Sequence, residues 1–472
     1  MDTFGRCVDA MISSSDDSQQ RVARLTRLRR LGLRRGVGDL APAEPTHRAN
    51  REESATGQPG ASTLSDEAGR ARATENATQL PGEEAHTPFG PAWVRTERYP
   101  LAEHPELTHW LRVQPTTVVA LERNERLADM TPATVAFLDT ETTGLSLGTG
   151  TYTFMIGIGT YERPAAAEAA FVVRQFFMRN PAEERAQLHL VEEALSHCSG
   201  IVSFNGRGFD MPLIGNRFVL AGMPPPLAGA PHLDLLPPAR RLWRARWRSC
   251  SLGNLERNVL GLARATDDVP GYLIPDIYRQ YYRAGAVTDL LVRVFYHNLR
   301  DILTLPLLAA HMARFFQADE AVSALPDLHP LECFSLGRCY EALRWDAASV
   351  AAYRAALTGP LAPAERGQVL RDLSFLHKRL QQRELAAELW EEWVSTAAGD
   401  DLTPYVELAK HHEWYTGDLR AARGWAAWAL HVAEKACAGY QRDLTLADLR
   451  HRLARLECKL TGIGAEPAGP EE

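Results

Sequence analysis

Short apolar runs with the composition of β-strands occupy the middle of the chain. They cover residues 134–139, 152–159, 171–177 and 200–204. A Gly-rich loop at 144–150 follows the first run, and an amphipathic helix over 183–198 precedes the fourth. Strands joined first by turns and then by helices predict a mixed sheet flanked by helices. We therefore expect an α/β fold over residues 131–317.

The segment before this domain, residues 89–130, predicts a lead-in that packs on it. Apolar and polar residues alternate from Trp93 to Leu101, and a helical pattern around Leu121 follows. Residues 1–88 have a different composition. The stretch 41–88 is rich in Pro, Gly, Ser and Glu and predicts disorder.

A basic helix is predicted within the N-terminal segment, at about residues 20–36. Val22, Leu25 and Leu28 lie at helical spacing among arginines. Three interpretations stay open: an arm that binds nucleic acid, a helix that docks on a partner, and a solvated helix without a ligand.

Past residue 317 the strand pattern ends and a repeat of leucine, small and aromatic positions begins. Its three copies are Leu336, Gly337, Tyr340, Ser349, Tyr353, Ala356; then Leu373, Ser374, His377, Ala386, Trp390, Trp393; then Leu408, Ala409, His412, Ala421, Trp425, Trp428. The offsets match the helix-turn-helix pattern of tetratricopeptide repeats. Residues 318–462 therefore predict an all-α solenoid with a capping helix over 445–460, and 463–472 predict a flexible tail.

The tryptophans of this region invite a ligand-binding interpretation. At helical spacing we expect them instead to pack between repeats: Trp390, Trp393, Trp414, Trp425 and Trp428.

Composition narrows the function classes. The chain has 472 residues, and its formal net charge of −7 excludes a protein that coats nucleic acid through bulk positive charge. No apolar run approaches the length of a membrane helix and no secretory signal is evident, so we expect a cytoplasmic protein without membrane contacts. The 7 cysteines contain no CxxC pair, which disfavours a disulfide framework or a zinc ribbon.

Five residues in three separate motifs form a candidate catalytic site. Asp139 and Glu141 end the first strand and point to one face, because strand side chains alternate. Asp210 follows the fourth strand, and His297 lies one helical turn before Asp301. Four carboxylates and one imidazole suit two hard divalent ions, Mg²⁺ or Mn²⁺, which hydrolyse phosphodiesters.

Two local alternatives accompany this site. Asp210 is also a candidate helix N-cap, with Pro212 just inside the helix, and its carboxylate cannot fully serve both roles. Tyr296, five residues before Asp301, points away from it by about 140° on ideal helix geometry, which favours His297 as the group that meets the attacking water.

A basic and aromatic segment, residues 238–248, offers a surface for a nucleic acid strand. On a helix Arg240 and Arg244 form one stripe with Arg248, and Trp243 and Trp247 form the adjoining stripe. Such a surface tracks phosphates and stacks bases. The alternative is that the tryptophans dock on the core and the arginines lie over them.

These motifs resemble the DEDD superfamily of 3′→5′ exonucleases, whose fold is ribonuclease-H-like. The step from Asn205 to Asp210 is similar to proofreading domains of B-family DNA polymerases. The strings FLDTETTGLSLGTGTYTFMIGIG, SFNGRGFD, PHLDLL and SCSLGNLE, with the HN-x-x-D ending, more closely resemble the bacterial YprB-like exonuclease family. That family joins such a domain to tetratricopeptide repeats, and the resemblance spans residues 90–460.

The resemblance implies a role for each matching residue. Asp139, Glu141, Asp210 and Asp301 become the metal ligands and His297 the general base. The superfamily usually has histidine five residues, or tyrosine four residues, before the last aspartate, whereas here Tyr296 is at five and His297 at four. Substrate contacts are implied for Thr142, Leu145 and Asn205.

The function expected from the residues and the resemblance is metal-dependent 3′→5′ exonuclease activity on DNA, in DNA repair. A helicase or another repair protein is the expected partner of the repeats. Two alternatives are an exoribonuclease with the same metal site and an inactive nuclease fold that acts as a scaffold through its repeats.

Overall fold

The computed structural model describes residues 79–144, 148–163, 168–265, 268–317, 325–436 and 440–461. The chain divides into the units Met1–Ser62 and Thr63–Glu472, and all described residues belong to the second. The predicted basic helix at 20–36, Leu145 and the predicted tail lie outside the described residues.

The predicted mixed sheet is confirmed. It has seven strands: β1 Glu83–Thr87, β2 Gly90–Pro100, β3 Val135–Thr142, β4 Thr153–Glu162, β5 Ala170–Phe177, β6 Gly200–Ser203 and β7 His232–Asp234. The spatial order is β1-β2-β5-β4-β3-β6-β7. Neighbouring strands in the part β1-β2-β5-β4-β3 are antiparallel. β6 pairs with β3, and β7 with β6, in parallel.

The sheet begins earlier than the predicted boundary at residue 88. Residues 83–87, expected to be disordered, form β1, and residues 90–100 of the expected lead-in form β2. β1 contains no large apolar residue, so apolar patterning cannot reveal it. Backbone pairing with β2 defines it instead.

Helices cover both faces of the sheet. They are α1 Pro115–Glu122, α2 Glu184–Leu195, α3 Asp210–Leu220, α4 Leu236–Trp243, α5 Leu252–Asn258, α6 Ile274–Ala284 and α7 Asp289–Arg314. Side chains of β3 alternate between two cores: Ala136 packs with α2 and α3, and Phe137 packs with α1, α4 and α7. The strand that ends in the candidate acids is therefore buried on both faces.

α7 approaches the sheet closely because β4 carries two glycines beneath it. A Cβ on Gly159 would lie 2.8 Å from Ile302 of α7 and would also collide with Phe171. A Cβ on Gly157 would collide with Asn298. The absence of side chains at Gly157 and Gly159 therefore sets the height of the helix that carries His297 and Asp301.

A helical region follows, as predicted. Its helices are α8 Pro330–Ala342, α9 Asp346–Thr358, α10 Pro363–Arg379, α11 Arg383–Thr396, α12 Thr403–His411, α13 Leu419–Ala436 and α14 Tyr440–Thr461. Consecutive helices pack against each other, and the core of α8 and α9 is continuous with that of α7. Arg246, just after α4, also forms a 3.0 Å ion pair with Glu332 of α8.

The first two copies of the repeat coincide with buried positions throughout, whereas the third does so only at Leu408 and Ala409. Its second helix buries Ala422, Ala426 and Ala429, each one residue beyond the predicted position. A π-helix, His412–Thr416, precedes this helix and inserts an extra residue into the turn. The inserted residue accounts for the shift in phase.

Part of the tryptophan prediction is wrong, although Trp425 is half-buried and packs against the neighbouring helices as expected. Trp390 and Trp393 are buried between helices as expected, whereas Trp414 is 55% and Trp428 is 58% exposed.

Within the described ranges, no helix has the length and apolarity that a bilayer crossing requires.

We expect Gly159→Ala to lower the free energy of unfolding by about 1–3 kcal/mol, because Phe171 and Ile302 would have to move. The matched control is Gly215→Ala in α3, where a Cβ meets nothing within 4 Å. That change should stabilise the protein by up to about 1 kcal/mol through helix propensity. Chemical denaturation measures both, and effects of the same sign would contradict the packing argument.

Candidate active site

The end of β3 places two carboxylates on the side of the sheet that α7 covers. Asp139 and Glu141 alternate with Thr140, and Glu141 is only 9% exposed. The pairing of β3 with β4 shifts register between Glu141 and Thr142. Such irregularities often redirect side chains next to functional sites.

α7 brings a histidine and a third carboxylate to the same place. His297 and Asp301 are one turn apart, with Nε2 of His297 3.5 Å from Oδ2 of Asp301. One ligand atom each from Glu141, His297 and Asp301 lie within 4.8 Å of one another. These three residues therefore form a group of the size that one metal ion requires.

Asp210 joins the cluster from the other face of β3. It is the first residue of α3 and 7% exposed, and its Oδ1 accepts a hydrogen bond from the Thr140 hydroxyl. The helix N-cap is Phe209, so the alternative that made Asp210 the cap is wrong. The negative charge of Asp210 acts on both Asp139 and Glu141.

Burial and mutual repulsion make these carboxylates difficult to ionise. Burial is the main cause that raises the pKa of Asp139, and the charges of Asp301 and Asp210 add to it. The pKa of Glu141 is raised in the same way. Burial also raises the pKa of Asp301 and raises that of Asp210 to about 6. A bound cation would favour the ionised form of all four.

A hydrogen-bonded chain across three strands fixes the Asp139 carboxylate. Asn298 of α7 donates to Oδ2 of Asp139 at 3.0 Å and accepts from Gln175 of β5 at 2.9 Å. Asp139, Gly157 and Gln175 are directly opposite one another in the sheet. Our sequence reasoning missed this chain, although a glutamine inside the apolar run at 171–177 was a usable signal.

A second network, also missed, surrounds Asp301 and His297. Arg264 forms ion pairs with Asp301 and with the buried Glu256, and a 3.1 Å pair with Asp268. Asp268 lies 3.0 Å from Nδ1 of His297 and accepts a hydrogen bond from that nitrogen. Neither Arg264 nor Asp268 lies in a helix or strand, so no periodic pattern could have pointed to them.

The imidazole is held with its other nitrogen toward the acids. Burial alone would lower the pKa of His297, but the hydrogen bond to Asp268 and the charge of Asp301 outweigh it and raise the pKa. Tyr296 lies elsewhere, and its hydroxyl accepts from the backbone N–H of Ala265 at 3.4 Å. The geometry thus favours His297 over Tyr296 as a base.

Asp234 has a structural role. Its carboxylate accepts backbone N–H groups of Asn205, Arg207 and Leu236 at 2.7, 3.1 and 3.0 Å. These bonds fix the turn between β6 and α3, in which Asn205 adopts a left-handed φ of 69°. Thr142 is buried, and its hydroxyl donates to the carbonyl of Gly144 at 2.7 Å.

The arginine-tryptophan segment matches its structural alternative. Trp243 is 2% exposed and packs with Trp247 in the core beneath α7, so neither forms an open stacking stripe. Arg240 and Arg244 are exposed, and no ion pair joins either to another residue of the described ranges. α4 ends at Trp243, so the expected helical stripe does not extend to Arg248, and the two available charges lie at and just after the end of α4.

A mixed sheet with helices on both faces and acids at one edge defines the ribonuclease-H-like class of nuclease folds. Residues 136–313 match the family model described as the RNase H superfamily. The chain is also 30% identical over 330 residues to YprB of Bacillus subtilis (strain 168), described as an uncharacterized protein. The match covers 68% of this chain and 74% of YprB. The chain therefore belongs to the YprB family within the RNase H superfamily.

The site suits the divalent metal ions that nucleases of this superfamily generally use. Its ligand atoms are carboxylate oxygens and one imidazole nitrogen, and hard ions such as Mg²⁺ and Mn²⁺ prefer oxygen. When ionised, the buried carboxylates repel one another, and such ions would neutralise that charge.

We expect Asp139→Asn to stabilise the protein in chelator at pH 8. Raised pKa values mean that the folded protein binds protons more tightly than the unfolded chain, so stability falls as pH rises above the unfolded carboxyl pKa of about 4. The variant removes one repelling charge. Each kcal/mol gained should raise the Tm by about 2–4 °C.

Thermal unfolding from pH 5 to pH 8, with and without Mg²⁺ or Mn²⁺, measures this. The ions should raise the Tm of the wild type more than that of the variant. The control is Asp129→Asn, which changes an exposed acid. A variant less stable than the wild type at pH 8 would show that the acids do not repel one another.

Proposed function

We propose that this protein is a metal-dependent 3′→5′ exonuclease that hydrolyses DNA phosphodiester bonds. The observation that supports it most is the convergence of Asp139, Glu141, Asp210 and Asp301 with His297 at one edge of a ribonuclease-H-like sheet. A merely structural sheet edge gains nothing from such a cluster, since each buried carboxylate is destabilising without a partner.

The four carboxylates would hold two ions, Mg²⁺ or Mn²⁺. Bound there, these ions supply the activation of water and the stabilisation of charge on the phosphoryl and leaving oxygens. Asn298 contacts only one oxygen of Asp139, which leaves Oδ1 as a ligand atom. Arg264 pairs with Oδ1 of Asp301 and leaves Oδ2 on the side of His297.

His297 would take the proton of the attacking water. Asp268 is the nearer of two polar groups at Nδ1, at 3.0 Å against 3.3 Å for Arg264, and would favour the neutral tautomer in which Nε2 is the acceptor. The same contact stabilises the imidazolium that forms when Nε2 receives the proton. Asp268 therefore orients the base without touching the substrate.

Arg240 and Arg244 would guide the strand away from the site. Trp243, between them, packs on His311, whose ring centre is 6.2 Å away. His311 is ten residues, and so about 15 Å, along α7 from Asp301. A strand that leaves the acids along α7 would therefore reach these arginines. Thr142, Leu145 and Asn205 are the further proposed contacts.

The helical region would dock a helicase or another DNA repair protein in the cytoplasm. The expected tetratricopeptide character of residues 318–462 supports this role through the regular packing of its helices. Exoribonuclease activity and an inactive scaffold are the outcomes that the assay below distinguishes.

Single substitutions Asp139→Ala, Glu141→Ala, Asp210→Ala and Asp301→Ala should each lower the rate of hydrolysis by more than about 100-fold. Loss of an outer partner of a metal ligand already costs about 10–100-fold. The measurement uses 3′- and 5′-labelled DNA and RNA, single- and double-stranded, with Mg²⁺, Mn²⁺ or chelator. The control Asp129→Ala should keep full activity.

Product ladders decide among the hypotheses. Stepwise shortening from the 3′ end of DNA supports the proposal, and cleavage restricted to RNA would replace it with the exoribonuclease. If the wild-type protein cuts no nucleic acid with either ion, the inactive scaffold is the hypothesis that remains.

The double substitution Arg240→Glu, Arg244→Glu should weaken binding of a long single strand by about tenfold or more and reduce its salt dependence. Cleavage of a dinucleotide, which is too short to reach α4, should be unchanged. The matched control is Arg163→Glu, an exposed arginine just after β4, at the opposite end of the sheet from Glu141. Equal effects of the two changes would contradict a local role for α4.

A further inference from the structure

An exposed tyrosine stands beside the candidate active site. Tyr272 is 77% exposed, the highest value among the large hydrophobic side chains in the described part of the chain. Its neighbour Gly271 lies against the site, because a Cβ built on Gly271 would be 3.9 Å from Nε2 of His297. A side chain at position 271 would thus be within van der Waals reach of the proposed proton-accepting nitrogen, and Tyr272 is the next residue along the chain.

The tyrosine is held in place by the turn that carries it. Residues 270–273 are exposed, but Val269 and Ile274 on either side are 4% and 0% exposed and share one core. A 3-10 turn, Gly271–Leu273, follows Pro270, whose carbonyl accepts from the Leu273 N–H at 2.9 Å. The proline ring limits the backbone further. Tyr272 is thus presented to solvent from a short, anchored turn.

We propose that Tyr272 is a stacking platform for an unpaired base of the nucleic acid whose phosphodiester lies at His297 and Asp301. This inference rests on the proposed function. An aromatic side chain stacks on any nucleobase, while its hydroxyl stays in water. The bases next to the reacting phosphodiester are the only aromatic groups that the proposed substrate brings to this position.

The platform also specifies the class of substrate. A base in a duplex already stacks on its neighbours and pairs across the helix, so its face is not open to a side chain. A base at a single-stranded or frayed end can leave the stack at little cost. The position of Tyr272 therefore selects unpaired ends over blunt duplex ends.

The test measures binding of single-stranded DNA by fluorescence anisotropy. The full chain carries Asp139→Ala, so that the labelled strand is not cut while Mg²⁺ is present. Tyr272→Ala should raise the Kd by about 5- to 150-fold, the range given by about 1–3 kcal/mol per stacked base. Tyr272→Phe, which keeps the ring, should stay within about twofold.

The matched control is Tyr282→Ala. Tyr282 is 55% exposed and lies in α6, the helix that follows the turn, so it is a nearby exposed tyrosine outside the turn itself. It should leave the Kd unchanged. A Tyr272→Ala variant indistinguishable from Tyr282→Ala would overturn the inference.

Abasic strands separate stacking from a general effect on the turn. Strands with one base removed at each of the last three positions are compared in turn. At the stacked position, removal of the base should raise the Kd of the Tyr272 protein by as much as Tyr272→Ala raises the Kd for the intact strand. Removal of both the base and the ring should raise the Kd no more than either change alone. Additive losses at all three positions would refute stacking.

The two proposals fail in different ways. A wild-type protein that cuts no nucleic acid would end the nuclease proposal, while the binding measurements would still decide the role of Tyr272. Active wild-type enzyme with unaltered binding in Tyr272→Ala would end the stacking inference alone.

Discussion

Repulsion among buried carboxylates is the constraint around which this structure is organised. Two unit charges 4 Å apart interact by about 4 kcal/mol at the effective dielectric constant of a partly buried site, and here four acids act on one another below the surface. The fold offsets part of this with two groups from other segments and with one side chain of β3 itself. Arg264 pairs with Asp301, Asn298 donates to Asp139, and Thr140 donates to Asp210. These contacts hold the carboxylates together despite their repulsion.

The long helix α7 makes this arrangement specific. It supplies His297, Asn298 and Asp301, and it can do so only because Gly157 and Gly159 let it lie close to β4. A helix held further from the sheet could not reach Asp139 with a side chain as short as asparagine. The glycines of β4 and the polar residues of α7 therefore act together to bring His297, Asn298 and Asp301 to Asp139.

The sequence could predict those features that depend on local pattern. Apolar runs revealed β3 to β6, and position at a strand end or one helical turn apart indicated Asp139, Glu141, Asp210, His297 and Asp301. Features created by contacts between distant segments stayed hidden. β1 has no apolar signal, the π-helix at His412–Thr416 shifts the second helix of the last repeat by one residue, and neither Arg264 nor Asp268 lies in a helix or strand. These features depend on tertiary contacts, which a local sequence pattern does not show.

The helical region is better understood as a support of the site than as an appendage. The first half of α7 carries His297 and Asp301, and its second half buries Leu308 and Met312 in the core that contains Phe334 and Tyr340 of α8. The hydroxyl of Tyr340 donates to the backbone carbonyl of Phe315 at 2.7 Å, immediately after α7 ends. Because one helix serves both cores, the C-terminal helices help to fix the position of two residues of the cluster. A protein that docks on those helices would then contact elements whose core continues into the helix that carries His297 and Asp301.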